Sequence, residues 1–94
     1  MKIYDCENQM ERVYMAMKDG KSRTLQEIEI LTHDSQPSIS AQLRHLRKER
    51  YGSYLVFKRV AKSNASRIFD PSLFEYQLLD SNGKKLKKNS VLKV

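Results

Sequence analysis

Apolar side chains recur three or four residues apart in the first half of the chain, which is the spacing of one helix face. The pattern predicts a first helix over residues 6–18, with Asp5 as its N-cap and Gly20 as its stop. The face consists of Met10, Val13, Tyr14 and Met17. We expect it to form part of the core.

A second, shorter helix is predicted to begin at residues 24–27 (TLQE). This segment is a capping box, in which the Thr24 hydroxyl and the Glu27 carboxylate each accept a hydrogen bond from the other residue's backbone N–H. The side chains expected to be buried are Leu25, Ile28 and Leu31. A polar turn at residues 33–36 (HDSQ) ends the helix.

A third helix is predicted over residues 37–50, with Pro37 at its first position and Gly52 after its end. Its buried edge consists of Ile39, Leu43 and Leu46. The other sides are polar, small or basic and carry Ser38, Ser40, Ala41, Arg44, His45, Arg47 and Lys48. Two helices joined by a short polar turn are typical of a helix-turn-helix unit.

The pattern changes to a strand pattern after Gly52. Residues 54–60 (YLVFKRV) are rich in β-branched and aromatic side chains, and residues 74–78 (FEYQL) alternate between apolar and polar. We predict a two-stranded hairpin whose polar loop, residues 61–73, contains Lys62, Asn64 and Arg67. Residues 80–94 are rich in lysine and offer little to bury, so we predict a domain over residues 1–79 and a disordered basic tail.

Charge is concentrated in the middle of the chain. The 94 residues carry a net charge of +7, and residues 35–67 hold eight arginines and lysines against Glu49 as the one acid. Such a basic stretch is typical of a protein with a polyanionic partner. A solvated face is the alternative for Arg47 and Arg50, which could pair with Glu49.

Other classes of function find little support in the sequence. No apolar run approaches the roughly 18 residues of a membrane span, and the N-terminus lacks a secretory apolar stretch, so we expect a cytoplasmic protein without a membrane partner. Cys6, His33 and His45 have no metal-ligand spacing. There is no nucleophile constellation or Gly-rich phosphate loop, so we expect no enzyme activity, no cofactor, no metal and no small-molecule ligand.

Three segments, TLQEI, SISAQLRHLRKERYG and FEYQL, resemble small winged helix-turn-helix proteins that are common in bacteriophages and mobile elements. The resemblance covers about residues 8–79. It implies an α+β winged helix-turn-helix fold, with three helices followed by a β-hairpin wing. It also implies a sequence-specific double-stranded DNA-binding protein, a transcriptional regulator that reads the major groove with helix 37–50 and contacts the backbone with the wing.

The residues expected to contact DNA are Ser38, Ser40, Ala41, Arg44, His45, Arg47, Lys48, Lys62, Asn64 and Arg67. Arg44 can fork onto guanine, and the small residues allow the helix backbone to approach the bases. The loop at residues 61–73 departs from the family, because it is longer than a minimal wing and contains Pro71 in place of a glycine turn.

Two alternatives remain open at this point. One is binding of RNA or of nucleic acids in general, and the other is a winged-helix module that docks on or inhibits a partner protein. The outer face of the third helix offers no apolar anchor, which favours DNA. We further expect a homodimer on two half-sites, located with the nucleoid or in the host cytoplasm if phage-encoded.

Overall fold

Three α-helices and a three-stranded sheet make up the described part of the chain, which in this computed structural model comprises residues 7–60, 74–87 and Leu92. The elements in chain order are α1 (Gln9–Met17), β1 (Arg23–Thr24), α2 (Leu25–Thr32), α3 (Gln36–Leu46), a 3-10 turn (Glu49–Tyr51), β2 (Leu55–Val60) and β3 (Phe74–Leu79). The fold class is therefore α+β, as predicted.

The sheet is antiparallel throughout, with the strand order β1-β3-β2. β2 and β3 pair along their whole length, from Leu55 opposite Leu79 to Val60 opposite Phe74. The predicted pairing of these two strands is confirmed. β1 was not predicted, because two residues are too short to show a periodic pattern.

The first two helices differ in how well their starts were predicted. α1 begins at Gln9, and Asn8 is its N-cap, since the Asn8 side chain accepts from the backbone N–H groups of Met10 and Glu11. The predicted start at residue 6 with Asp5 as the cap is therefore wrong. The capping box of α2 is confirmed, with 3.2 Å from the Glu27 N–H to the Thr24 hydroxyl and 2.9 Å from the Thr24 N–H to the Glu27 carboxylate.

The third helix is shorter than predicted. α3 starts at Gln36, with Ser35 as N-cap and Pro37 in its first turn, and it ends at Leu46 instead of residue 50. Positions 49 and 50 would continue the buried edge but are Glu49 and Arg50, so a longer helix would bury nothing more there. The chain turns towards β2, and the Leu46 carbonyl accepts from the N–H of Tyr54 at 3.0 Å.

The core lies between the inner faces of the helices and the sheet. Its fully buried apolar side chains are Val13, Met17, Ile28, Ile39, Leu46 and Leu78. Leu92 is only 6% exposed and belongs to the same cluster, and Leu86 packs against it. The segment after β3 thus buries more than its composition suggests, whereas the domain boundary at residue 79 stays a prediction. No helix in the described ranges is long and apolar enough to cross a membrane.

Candidate nucleic-acid interface

The polar side of α3 lies at the surface, opposite the edge formed by Ile39, Leu43 and Leu46. Arg44 and Arg47 are exposed. The half-buried predicted site residues of this helix are Ser38, Ser40, Ala41 and His45. The structure therefore places the predicted α3 residues on the accessible side of the helix or at its margins.

Two groups of predicted site residues fall outside α3. Lys48 is exposed but follows the helix end, where its backbone is extended with φ −76° and ψ 144°, so its predicted place on the helix is wrong. The loop residues Lys62, Asn64 and Arg67 lie outside the described residues. Their expected contact with DNA stays a prediction.

Three arginines away from α3 are neutralised by carboxylates. Their ion pairs are Arg12 with Asp34, Arg23 with Asp19, and Arg59 with Glu75. The Arg23 pair is bidentate, and hydrogen bonding from that guanidinium lowers the pKa of Asp19 to about 2. These cations contribute little to an attractive surface because their charge is balanced locally.

The basic side chains of α3 are arranged differently. Neither Arg44 nor Arg47 forms an ion pair with a residue of the described ranges, so the alternative pairing of Arg47 with Glu49 does not occur there. Arg50 instead lies 4.7 Å from the ring centroid of Tyr51 and donates to its hydroxyl at 2.6 Å. The α3 side of the molecule therefore has uncompensated positive charge.

A hydrogen-bonded network fixes the orientation of α3 from its other side. Asp34, in the turn before α3, accepts two hydrogen bonds from Arg12 at 2.8 Å and one from Gln9 at 3.2 Å. Gln9 in turn accepts from Gln42 of α3 at 2.8 Å. Hydrogen bonding from Arg12 holds the pKa of Asp34 below its ordinary value. The network joins α1, the turn and α3, and sequence analysis assigned residues 33–36 only to a turn.

A cleft of about 170 Å³ separates α3 from the sheet. Its lining residues are Ser40, Leu43, Arg44 and Arg47 of α3, Val56 and Lys58 of β2, and Tyr76 of β3. The Lys58 ammonium lies 4.3 Å from the ring centroid of Phe74 and 5.9 Å from that of Tyr76. Lys58 thus faces the predicted site, although sequence analysis did not include it among the contact residues.

The signal that could have identified Lys58 is strand alternation. Val56 and Lys58 are two residues apart and share one face of β2, whereas Phe57 and Arg59 share the other. The apolar Val56 indicates which face is turned towards the helices. The part of the chain that the structure describes contains no group of three or more His, Cys, Asp or Glu residues that could hold a metal ion.

Known proteins add no identification to this geometry. Comparisons with protein-family models, with curated proteins and with solved structures find no match to this chain.

Proposed function

We propose that the protein is a winged helix-turn-helix protein that binds double-stranded DNA in a sequence-specific manner, with α3 in the major groove. The order of helices and strands and the sheet order β1-β3-β2 support this fold. The hairpin of β2 and β3 takes the place of the wing. A transcriptional regulator acting as a homodimer is the corresponding cellular role.

The observation that carries the proposal is the difference between paired and unpaired arginines. Arg12, Arg23 and Arg59 have carboxylate partners, whereas Arg44 and Arg47 have none among the described residues. A DNA duplex has one negative charge for about every 1.7 Å of helix axis, and its neutralisation by basic side chains supplies much of the binding free energy. Unpaired cations on one exposed helix suit such a ligand.

The dimensions of α3 also suit the major groove. Its 11 residues extend over roughly 16 Å, and the groove is about 12 Å wide and admits an α-helix. Near the start of the helix, Ser38 and Ala41 leave the backbone free to approach the bases. Arg44 follows one turn later, where its guanidinium can donate two hydrogen bonds to one guanine.

Docking on a partner protein is a second candidate, because the outer face of the sheet has exposed apolar side chains. Leu55 is 38% exposed and Phe57 is 50% exposed. Such side chains are typical anchors of protein interfaces. The two functions use different surfaces, since the outer face of β2 is turned away from the cleft beside α3.

Selection of bound sequences from a random duplex pool, run beside an RNA pool, tests the proposal. We expect one duplex motif to be enriched and the RNA pool to show none. Enrichment of RNA alone, or of neither pool, would overturn it, and the second outcome would favour docking.

Two alanine variants assign the binding to α3. Arg44→Ala and Arg59→Ala remove the same charge, but only the first removes an unpaired cation. We expect Arg44→Ala to weaken binding to the selected duplex and Arg59→Ala to leave it nearly unchanged. Equal losses from both variants would show that net charge alone drives binding.

A further inference from the structure

We infer that the cleft between α3 and the sheet holds one backbone phosphate of the bound DNA, clamped between Arg47 and Lys58. This inference rests on the proposed function and adds to it a specific phosphate site. It also makes Lys58 a contact residue.

The cleft has basic side chains on two different elements. Arg47 comes from the C-terminal end of α3 and Lys58 from the middle of β2, so the two approach the space from opposite walls. The volume of about 170 Å³ is several times the ~30 Å³ that one water molecule occupies in the liquid. There is room for a tetrahedral phosphate group and part of its sugar.

The polar groups that line the cleft favour an acceptor-only ligand. Arg44, Arg47 and Lys58 can only donate hydrogen bonds, and the Ser40 hydroxyl can donate one more. A phosphodiester has acceptor oxygens and a negative charge, whereas the edges of bases also present donors. A backbone phosphate therefore matches the cleft better than a base does.

No carboxylate neutralises these cations within the cleft, since none of its lining residues is acidic. The neighbouring Arg59 provides the contrast, because it pairs with Glu75. The rings of Phe74 and Tyr76 are in contact with the Lys58 ammonium. These cation–π contacts hold the lysine on the α3 side of the sheet without balancing its charge.

The apolar part of the cleft adds to the effect of the charges. Leu43 and Val56 line it beside the cations and limit the access of water from the protein side. A phosphate held there contacts α3 and β2 together. It fixes the angle of α3 in the groove without reading sequence, which is the role of phosphate contacts in DNA complexes.

The matched pair Lys58→Gln and Arg59→Gln tests the site, because it removes one positive charge from adjacent residues on opposite faces of β2. Affinity for the selected duplex is measured over a series of KCl concentrations. We expect Lys58→Gln to lower the slope of log K against log[KCl] by about 0.9, the value for one lost phosphate contact. Arg59→Gln should leave the slope unchanged.

A series of duplexes with a single neutral methylphosphonate then locates the phosphate. We expect the wild-type protein to lose affinity when one particular phosphate is replaced. Lys58→Gln and Arg47→Gln should both be insensitive to replacement of that same phosphate. Thermal melting of each variant confirms that it is folded, and Arg47→Gln provides the test independently if Lys58→Gln is not.

The outcomes separate the inference from the proposed function. If the wild type binds duplexes but Lys58→Gln keeps both the slope and the sensitivity to the same phosphate, the clamp is overturned and DNA binding stands. If the wild type binds no duplex, both are overturned.

Discussion

The two sides of α3 treat charge in opposite ways. On one side Gln42 joins a network with Gln9, Asp34 and Arg12 in which the carboxylate and the guanidinium are paired at 2.8 Å. On the other side Arg44 and Arg47 are without carboxylate partners in the described ranges. The paired side holds the helix in position, and the unpaired side keeps its charge for a ligand.

This difference predicts two separate kinds of mutant phenotype. A change in the core or in the paired network should lower the free energy of unfolding and leave the salt dependence of DNA binding as it is. A change on the unpaired side should have the reverse effect, because exposed side chains contribute little to stability. A variant that shows both effects would break the separation.

The largest effect on stability is expected from Leu92→Ala. Leu92 is 6% exposed within the core, and truncation of a buried leucine costs about 2 to 5 kcal/mol. For a protein of this size, each kcal/mol lowers Tm by about 4–8 °C. Thermal melting measures the effect, with the exposed Lys87→Ala as a control that should leave Tm unchanged. An unchanged Tm for Leu92→Ala would favour the disordered tail that the sequence predicts.

The next effect is that of Asp34→Asn, which tests the paired network. The side chain of Asp34 is 9% exposed, and hydrogen bonds to charged groups contribute about 1.5–3 kcal/mol each, so we expect a loss of about 2 kcal/mol. Urea unfolding at neutral pH measures it. Glu49→Gln, which removes an exposed carboxylate without an ion pair among the described residues, is the control.

The same variant has a predicted pH dependence. The pKa of Asp34 is lowered in the folded protein, so the ionised carboxylate contributes stability above its unfolded pKa of about 3.9. That contribution is lost as the pH falls through the lower folded pKa. The stability difference between wild type and Asp34→Asn should therefore shrink in acid, and a constant difference would contradict the ion-pair explanation.

A third prediction tests the unpaired side with Arg44→Lys. The charge is kept and the planar fork is lost, so base readout predicts a loss of about 1 to 3 kcal/mol of discrimination at one base pair. The change in folding stability should stay within about 0.5 kcal/mol because Arg44 is exposed. Competition binding against every single-base variant of the selected site is the measurement. Identical preferences in wild type and variant would make Arg44 a phosphate contact.

Much of the fold could be predicted because its signals are local. The apolar spacing of residues 39–46, the capping box at residues 24–27 and the alternation of residues 74–78 each lie within a few neighbouring positions. β1 could not be predicted, since Arg23 and Thr24 form a strand only by pairing with Tyr76 and Glu75, about 50 positions further along the chain. The end of α3 depends on where the chain must turn to reach β2.

The candidate site could be predicted in part, because a run of basic residues is visible in the sequence but their ion pairs are not. Lys58 and Arg59 belong to the same basic stretch, yet one lines the cleft and the other pairs with Glu75. Arg12 and Asp34 are 22 positions apart, beyond the range of the i, i+4 rule. Which cations remain available to a ligand thus follows from tertiary contacts.

The smallest effect is expected from Asp19→Asn, which changes a paired arginine far from α3 in the chain and at the surface. The pKa of Asp19 is about 2, chiefly because Arg23 donates hydrogen bonds to it. Since that pKa lies below the ordinary 3.8, the pair contributes stability above about pH 4, and the contribution is lost as the pH falls towards 2. The Asp19 side chain is 42% exposed, so solvent screening keeps the loss in the variant below about 1 kcal/mol. Urea unfolding at pH 6 and pH 2, each with and without 1 M NaCl, should show a small difference at pH 6 that salt and acid both reduce. A difference as large as that of Asp34→Asn, or an altered salt slope of duplex binding, would show that pairing away from α3 also shapes the proposed DNA site.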